Sequence, residues 1–286
     1  MSGFLAIALL LTAPLLLAAA GELLLEKSGS IHIGTEGTML VGAFVAFLAG
    51  LKLGDPHLAL LLALVSGLVC GAVFALASVA GRTDPILVGT AWNLVAAGGT
   101  AFAYRLAAGA TGGAHEVPTL PTLFLGLPAA VLVAFLVPVA IHVFVKRTRP
   151  GLALVAAGET PEALEAQGLS TVRVRSWAAI VSGALAAAGG GLLVLTVSPT
   201  FVEGVTSGRG FLALALVVFA RWKPLLLLPA ALLLGGANAL QYRFQATGST
   251  IPYAFFLAIP PLVALVALAL SRGRSGAPRA LGTPAP

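Results

Sequence analysis

"FLALALVVFARWKPLLLLPAALLL", Phe211 to Leu234, is one long apolar stretch except for Arg221 and Lys223 near its middle. Threading both cations through hydrocarbon would cost several kcal/mol. Broken at Arg221-Trp222-Lys223, the stretch becomes two apolar runs, 210–220 and 224–240. A complete crossing needs about 20 residues, so the first run reaches only about half of the hydrocarbon at ~1.5 Å per residue. It either extends through the polar residues before it or forms half of a broken helix.

The rest of the chain has the same character. Of 286 residues, 59% are hydrophobic and 9% are charged, and the mean hydropathy is +1.03. A soluble domain carries roughly a quarter charged residues, so this chain belongs in a bilayer. Leu, Ala, Val and Gly dominate, which suits helices packed through small residues. The alternation expected of a barrel is missing. Apolar runs cover 3–20, 38–51, 57–80, 84–104, 122–145, 176–198, 210–220, 224–240 and 253–271. The first, although it ends in small residues, has no basic stretch before it and is read as a span rather than a cleaved leader.

Placing loop 146–175 in the cytoplasm and alternating outward puts twelve Lys and Arg residues inside and four outside: Lys52, Arg105, Arg209 and Arg243. Positive-inside bias therefore favours N-out, C-in. The same bias accounts for the net charge of +6, so nucleic acid is not an expected partner. The fold predicted is an all-α polytopic transmembrane helical bundle of about nine segments, some short or discontinuous. It forms one domain, residues 1–271, with a disordered basic tail at 272–286.

Two places share a layout. "IGTEGTMLVGAF" (Ile33–Phe44) and "FVEGVTSGRGFLALALVVF" (Phe201–Phe219) each hold a Glu-Gly pair, small polar residues and a short apolar run. Short, Gly-interrupted segments at corresponding positions are where transporters build solute sites, because unwound backbone is tolerated only inside protein or along a wet cavity. Glu36, Glu203 and Arg209 are therefore pathway candidates, and the alternative is a pair of solvated loops. Thr90, Trp92 and Asn93 in "GTAWNLVAAGGT" are polar residues in mid-span; they contact a solute or make interhelical hydrogen bonds. Trp222 reads as an interfacial anchor and Cys70 as packing. Gly67 and Gly71 read as a close-packing face. His32, His57, His115 and His142 show no metal spacing, so no metal is expected.

The loop "RPGLALVAAGETPEALEAQGLSTVRVR" (Arg149–Arg175) carries a punctuated short helix. Thr160 suits the N-cap, Pro161 the first helical position and Glu162 the positive end of the dipole. Gly168 suits the position just past the end, so the helix spans 161–167. Glu159, Glu162 and Glu165 lie in it or beside it, with Ala163 between. A rigid charged tip fits a soluble partner.

"AAGETPEALEAQGLSTVRVR" (Ala156–Arg175) resembles the "G-x-N-P-x-A-A-x-x-x-G-I" coupling segment of ABC-importer permeases for ribose-type sugars, branched-chain amino acids and nucleosides. It differs at Thr160, where Asn is usual, and at Leu164, where Ala is usual. "EKSGSIHIGTEGTMLVGAF" (Glu26–Phe44), with His32 in place of Asn, is similar to the start of nucleoside-type permeases. "DPILVGTAWNLVAAGGTAF" (Asp84–Phe102) and "FVEGVTSGRGFLALALVVFARWKP" (Phe201–Pro224) resemble two further segments, the second with Ala220 in place of Gly.

The resemblance implies a permease subunit of the bacterial cytoplasmic (inner) membrane, surrounded by membrane lipids. It would work with a cytoplasmic ATP-binding subunit, a second permease chain, identical or related, and an extracytoplasmic solute-binding protein. ATP and Mg would sit on the partner, so no cofactor is expected here. No "GK" occurs in the chain, and a Walker A loop is therefore absent. The nucleoside branch fits best, with ribose-type sugars or branched-chain amino acids as alternatives. An ion-coupled secondary transporter would need a deep acidic residue, and only Glu36 is positioned for it in the sequence. A membrane enzyme finds no HExxH, GxSxG or carboxylate pair.

Overall fold

The chain begins with α1 (Ser2–Lys27), which turns through a short loop into α2 (Thr35–Leu53). Helix α3 (Pro56–Phe74) continues as π-helix over Ala75–Ala80, and α4 (Pro85–Ala108) follows. A small antiparallel hairpin, β1 (Thr122–Phe124) and β2 (Leu127–Pro128), precedes α5 (Ala129–Arg147). Two short helices, α6 (Arg149–Glu159) and α7 (Pro161–Ala166), lead to α8 (Thr171–Thr196). The last elements are α9 (Arg209–Phe219), a 3-10 turn over Pro224–Leu226 and α10 (Leu227–Ala246). This computed structural model describes residues 2–108, 116–124, 126–246, 262 and 276–283.

Among the described residues seven helices are long and apolar enough to cross a membrane, and α9 is a shorter apolar helix. The expected runs up to 224–240 each correspond to one of these eight helices. The ninth, 253–271, lies outside the described residues apart from Leu262. The run expected at 122–145 is helical only from Ala129, because its first residues form the hairpin.

Helix α8 is the hub. Its Ala- and Gly-rich middle is buried on α1, α2 and α3. Small residues let these backbones nearly touch: a β-carbon at Gly67 would fall on the Gly183 carbonyl oxygen, and one at Gly71 on that of Ala179. The close-packing face expected of Gly67 and Gly71 is therefore real, and its partner is α8.

Helix α1 runs seven residues past the expected end of its span at residue 20, burying two carboxylates. Glu22 accepts hydrogen bonds from the His32 backbone N–H (2.8 Å) and the Thr35 hydroxyl (2.9 Å). Glu26 accepts one from the Trp222 indole N–H. Trp222 is thus buried rather than an interfacial anchor, at 7% exposure. Buried acids persist in an apolar bundle when they are hydrogen-bonded, as each of these is. Periodicity alone could not show this, because the partners lie 10, 13 and 196 residues away, outside the helix that carries the two acids.

Arg175, expected as one of the cytoplasmic cations, is 1% exposed. Its guanidinium donates to the carbonyls of Ser28 (2.9 Å), Ala157 (3.2 Å) and Thr283 (2.8 Å). It joins the α1–α2 loop, the end of α6 and the C-terminal segment. That segment, part of the tail expected to be disordered over 272–286, is described at 276–283. There Ala280 N–H donates to the Gly158 carbonyl (2.9 Å) and Gly282 N–H to that of Gly29 (3.0 Å). Replacing Arg175 with Met keeps the bulk but leaves three carbonyls without their donor. At about 1 kcal/mol or more per lost bond, the expected loss is about 3 kcal/mol, measured as a lower midpoint of thermal unfolding of the detergent-solubilised chain.

Candidate functional site

The two matching segments meet in space. The loop after α1 climbs back along that helix, so α2 begins at Thr35 against Glu22, about one and a half turns before the end of α1. Helix α9 also starts inside the bundle. Phe201, on its approach, packs against Phe44, Phe47 and Tyr104. The chain then turns through Ser207 and Gly208, both with positive φ (49° and 80°), into Arg209.

Glu36 joins the two helix starts. Its carboxylate accepts from the Thr206 hydroxyl (2.6 Å), the Gly208 N–H (2.8 Å) and the Gly210 N–H (2.6 Å). It sits in the first turn of α2 and caps α9, so one negative charge faces the positive ends of two helices. The approach demands glycine at 210, where a β-carbon would fall on the Glu36 backbone.

Helix α4 braces this junction. The Asn93 side chain accepts from the Gly37 N–H (2.8 Å) and donates to the Ile33 carbonyl (3.0 Å). The Trp92 indole donates to the Thr38 hydroxyl (3.0 Å), which itself donates to the Gly34 carbonyl (3.1 Å). With that hydrogen committed, the His32 Nε2 at 3.3 Å from the same oxygen acts as the donor. Nδ1 is then the bare nitrogen, and it has no hydrogen-bond partner among the described residues.

Of the pathway candidates, the structure brings Glu36, Trp92 and Asn93 together around the start of α2. The Arg209 guanidinium folds back onto the Val205 and Thr206 carbonyls beside them (3.4 and 3.2 Å). Glu203 does not join. It pairs with Arg105 at the far end of α4 (2.9 Å), and the Arg105 hydrogen bonds hold its carboxyl below the usual range. Thr90 is exposed, and its hydroxyl donates within its own helix, to the Ile86 carbonyl (2.7 Å). The residues missed in the sequence are Thr206, Gly208, Gly210 and Thr38. The repeated Glu-Gly layout marked their neighbourhoods, but nothing in it indicated that one segment's carboxylate caps the other's helix.

At the end of the molecule where α5 finishes, α7 forms as expected over Pro161–Ala166. Thr160 precedes it without a side-chain capping bond. Gly168 has φ 80° and closes the helix, its N–H donating to the Glu165 carbonyl (2.9 Å). Leu164, the residue that departs from the usual Ala, is buried and anchors the helix to the body. Glu159, Thr160, Glu162, Ala163 and Glu165 are all exposed. The arrangement is a small rigid tip, acidic on its outer side and apolar at its root.

Comparison with known proteins places this architecture. The guanosine ABC transporter permease protein of Bacillus subtilis is 31% identical, over 96% of this chain and 94% of its own length. A putative glucose ABC transporter permease protein of Haloferax volcanii is 34% identical, over 81% of this chain and 74% of its own. A nucleoside ABC transporter permease protein of Lactococcus lactis is 27% identical, over 96% and 93%. No solved structure matches. The model of the family described as branched-chain amino acid transport system / permease component matches residues 4–269. The chain belongs to that family, and is an ABC transporter permease component without an ATPase domain of its own.

Proposed function

We propose that this chain forms part of the solute path of an ATP-driven importer for nucleosides. Two relatives named for guanosine and for nucleosides align over nearly the whole chain, which supports this solute class over glucose. The observation that carries the path is the junction at Glu36, where α2 and α9 both start inside the bundle. Broken helix starts of this kind line solute sites in transporters, and the polar groups of Arg209 and Asn93 lie beside this one. A ribose offers hydroxyls to such groups. A flat base offers a face for Trp92, the indole of which is half-buried.

In this reading the chain has about nine segments, N-out and C-in, in a bacterial cytoplasmic membrane. The tip α7 enters a groove on the ATP-binding subunit. A second permease chain completes the path, and an extracytoplasmic binding protein delivers solute. Closure of the ATP-binding subunits on ATP pushes α7, and α6 passes the movement through Arg175 to the loop that leads into α2. Family membership sets aside an ion-coupled carrier, even though Glu22 and Glu26 are buried acids besides Glu36.

The test is uptake by the reconstituted complex of labelled guanosine, adenosine, uridine, glucose, ribose and leucine. Nucleoside uptake that needs ATP and survives a collapsed proton gradient is the expected result. Uptake of glucose alone, for which the halobacterial relative speaks, would move the solute assignment to sugars.

A further inference from the structure

A cavity lies at the end of the bundle that carries α7. Its volume is about 420 Å³, within the range of about 300–1,000 Å³ of small-ligand sites. Three lysines from three separate elements line it: Lys27 at the end of α1, Lys146 at the end of α5 and Lys223 in the α9–α10 turn. His142, half-buried, stands one turn before Lys146. Glu159 interacts electrostatically with Lys27. Lys146 and Lys223 have no ion-pair partner among the described residues.

The other wall is apolar. Leu225 and Leu226 line the cavity and are about two-fifths exposed. From there an exposed row runs down α10 through Leu233 and Leu240. Successive members are seven residues apart and so share one helix face. From Leu226 to Leu240 the row is roughly 21 Å long at ~1.5 Å per residue, more than the ~15 Å half-thickness of the hydrocarbon. A cationic pocket at the membrane surface that opens onto an apolar stripe of this length is complementary to one kind of molecule.

We propose that this cavity binds the phosphodiester head group of an anionic glycerophospholipid, with an acyl chain along Leu226, Leu233 and Leu240. Lys146 and Lys223 contact the phosphate, and Lys27 lies beside them. Basic pockets between helices at a membrane surface recognise such head groups by charge. The cavity borders Arg221 and Trp222, two successive residues with positive φ (51° and 56°), so the bound lipid sits against the turn that joins α9 to α10. The proposal does not depend on which solute the protein carries.

The experiment titrates the full chain in detergent with dioleoylphosphatidylglycerol, with dioleoylphosphatidylcholine and with inorganic phosphate, counting bound molecules by native mass spectrometry. The glycerol lipid is expected to be retained in preference to the choline lipid, and not to be displaced by millimolar phosphate. Lys146→Gln with Lys223→Gln should weaken the glycerol lipid by about tenfold or more and leave the choline lipid unchanged. Arg147→Gln with Arg173→Gln removes the same charge from exposed positions at the same end, and should leave binding within about twofold. Equal retention of both lipids overturns the proposal, as does an equal loss in both double variants, which would mean diffuse attraction. Displacement by phosphate alone would mean a free-anion site, and also overturns it.

Discussion

Glu36→Ala should lower solute uptake by the reconstituted complex by about a hundredfold or more. The carboxylate satisfies the Thr206 hydroxyl and the amides of Gly208 and Gly210 at once. Removing it orphans three donors inside the bundle, each at about 1–3 kcal/mol, and takes the counter-charge from the start of α9. Since α9 is only 11 residues long, it has few bonds of its own with which to resist fraying. Amide exchange at 206–212 should rise in this variant while α8 stays protected. Glu36→Gln keeps an oxygen acceptor but presents an NH2 group to the remaining donors, so its defect should be intermediate. Near-normal uptake by Glu36→Ala would mean that the cap is not needed for the path.

Ala163→Pro should abolish coupling between ATP hydrolysis and uptake while leaving the membrane body folded. The Ala163 amide donates to the Thr160 carbonyl (3.1 Å), and proline removes that donor. It also pushes Glu162 away from helical backbone. In a helix of six residues the combined cost, about 3 kcal/mol, is enough to unwind it. Uptake should fall to background while basal ATP hydrolysis by the assembled complex continues and the thermal midpoint of the body is unchanged. Glu162→Lys with Glu165→Lys leaves the helix formed and reverses only its exposed charge. It separates a contact made by shape from one made by charge. Unchanged uptake in both variants would remove α7 from the coupling role.

Much of this protein was legible in its residues because a bilayer imposes strong local rules. Arg221 and Lys223 had to leave the hydrocarbon, which divided α9 from α10 and made α9 short. The Pro161-to-Gly168 punctuation marked α7 nearly to the residue, since capping and helix termination are decided within a few positions. Ala220, where glycine is usual, also has a local explanation: its φ of −71° is ordinary helical backbone, and the positive angles fall on the next two residues.

Where distant groups had to be matched, the sequence was silent. Arg175 read as a cytoplasmic cation, and nothing local marked Glu22 or Glu26 as buried, because a charge is placed by its hydrogen-bond partners, and theirs come from other segments of the chain. Glu36 and Glu203 read as equivalents, yet one caps a helix within the bundle and the other pairs with Arg105 in an exposed salt bridge. Local composition determined that this chain is a helical membrane protein with two broken segments and a protruding tip. Only the packing of α2, α4 and α9 against one another decided which carboxylate joins those segments, since burial and partnership belong to the folded ensemble of helices rather than to any stretch of residues.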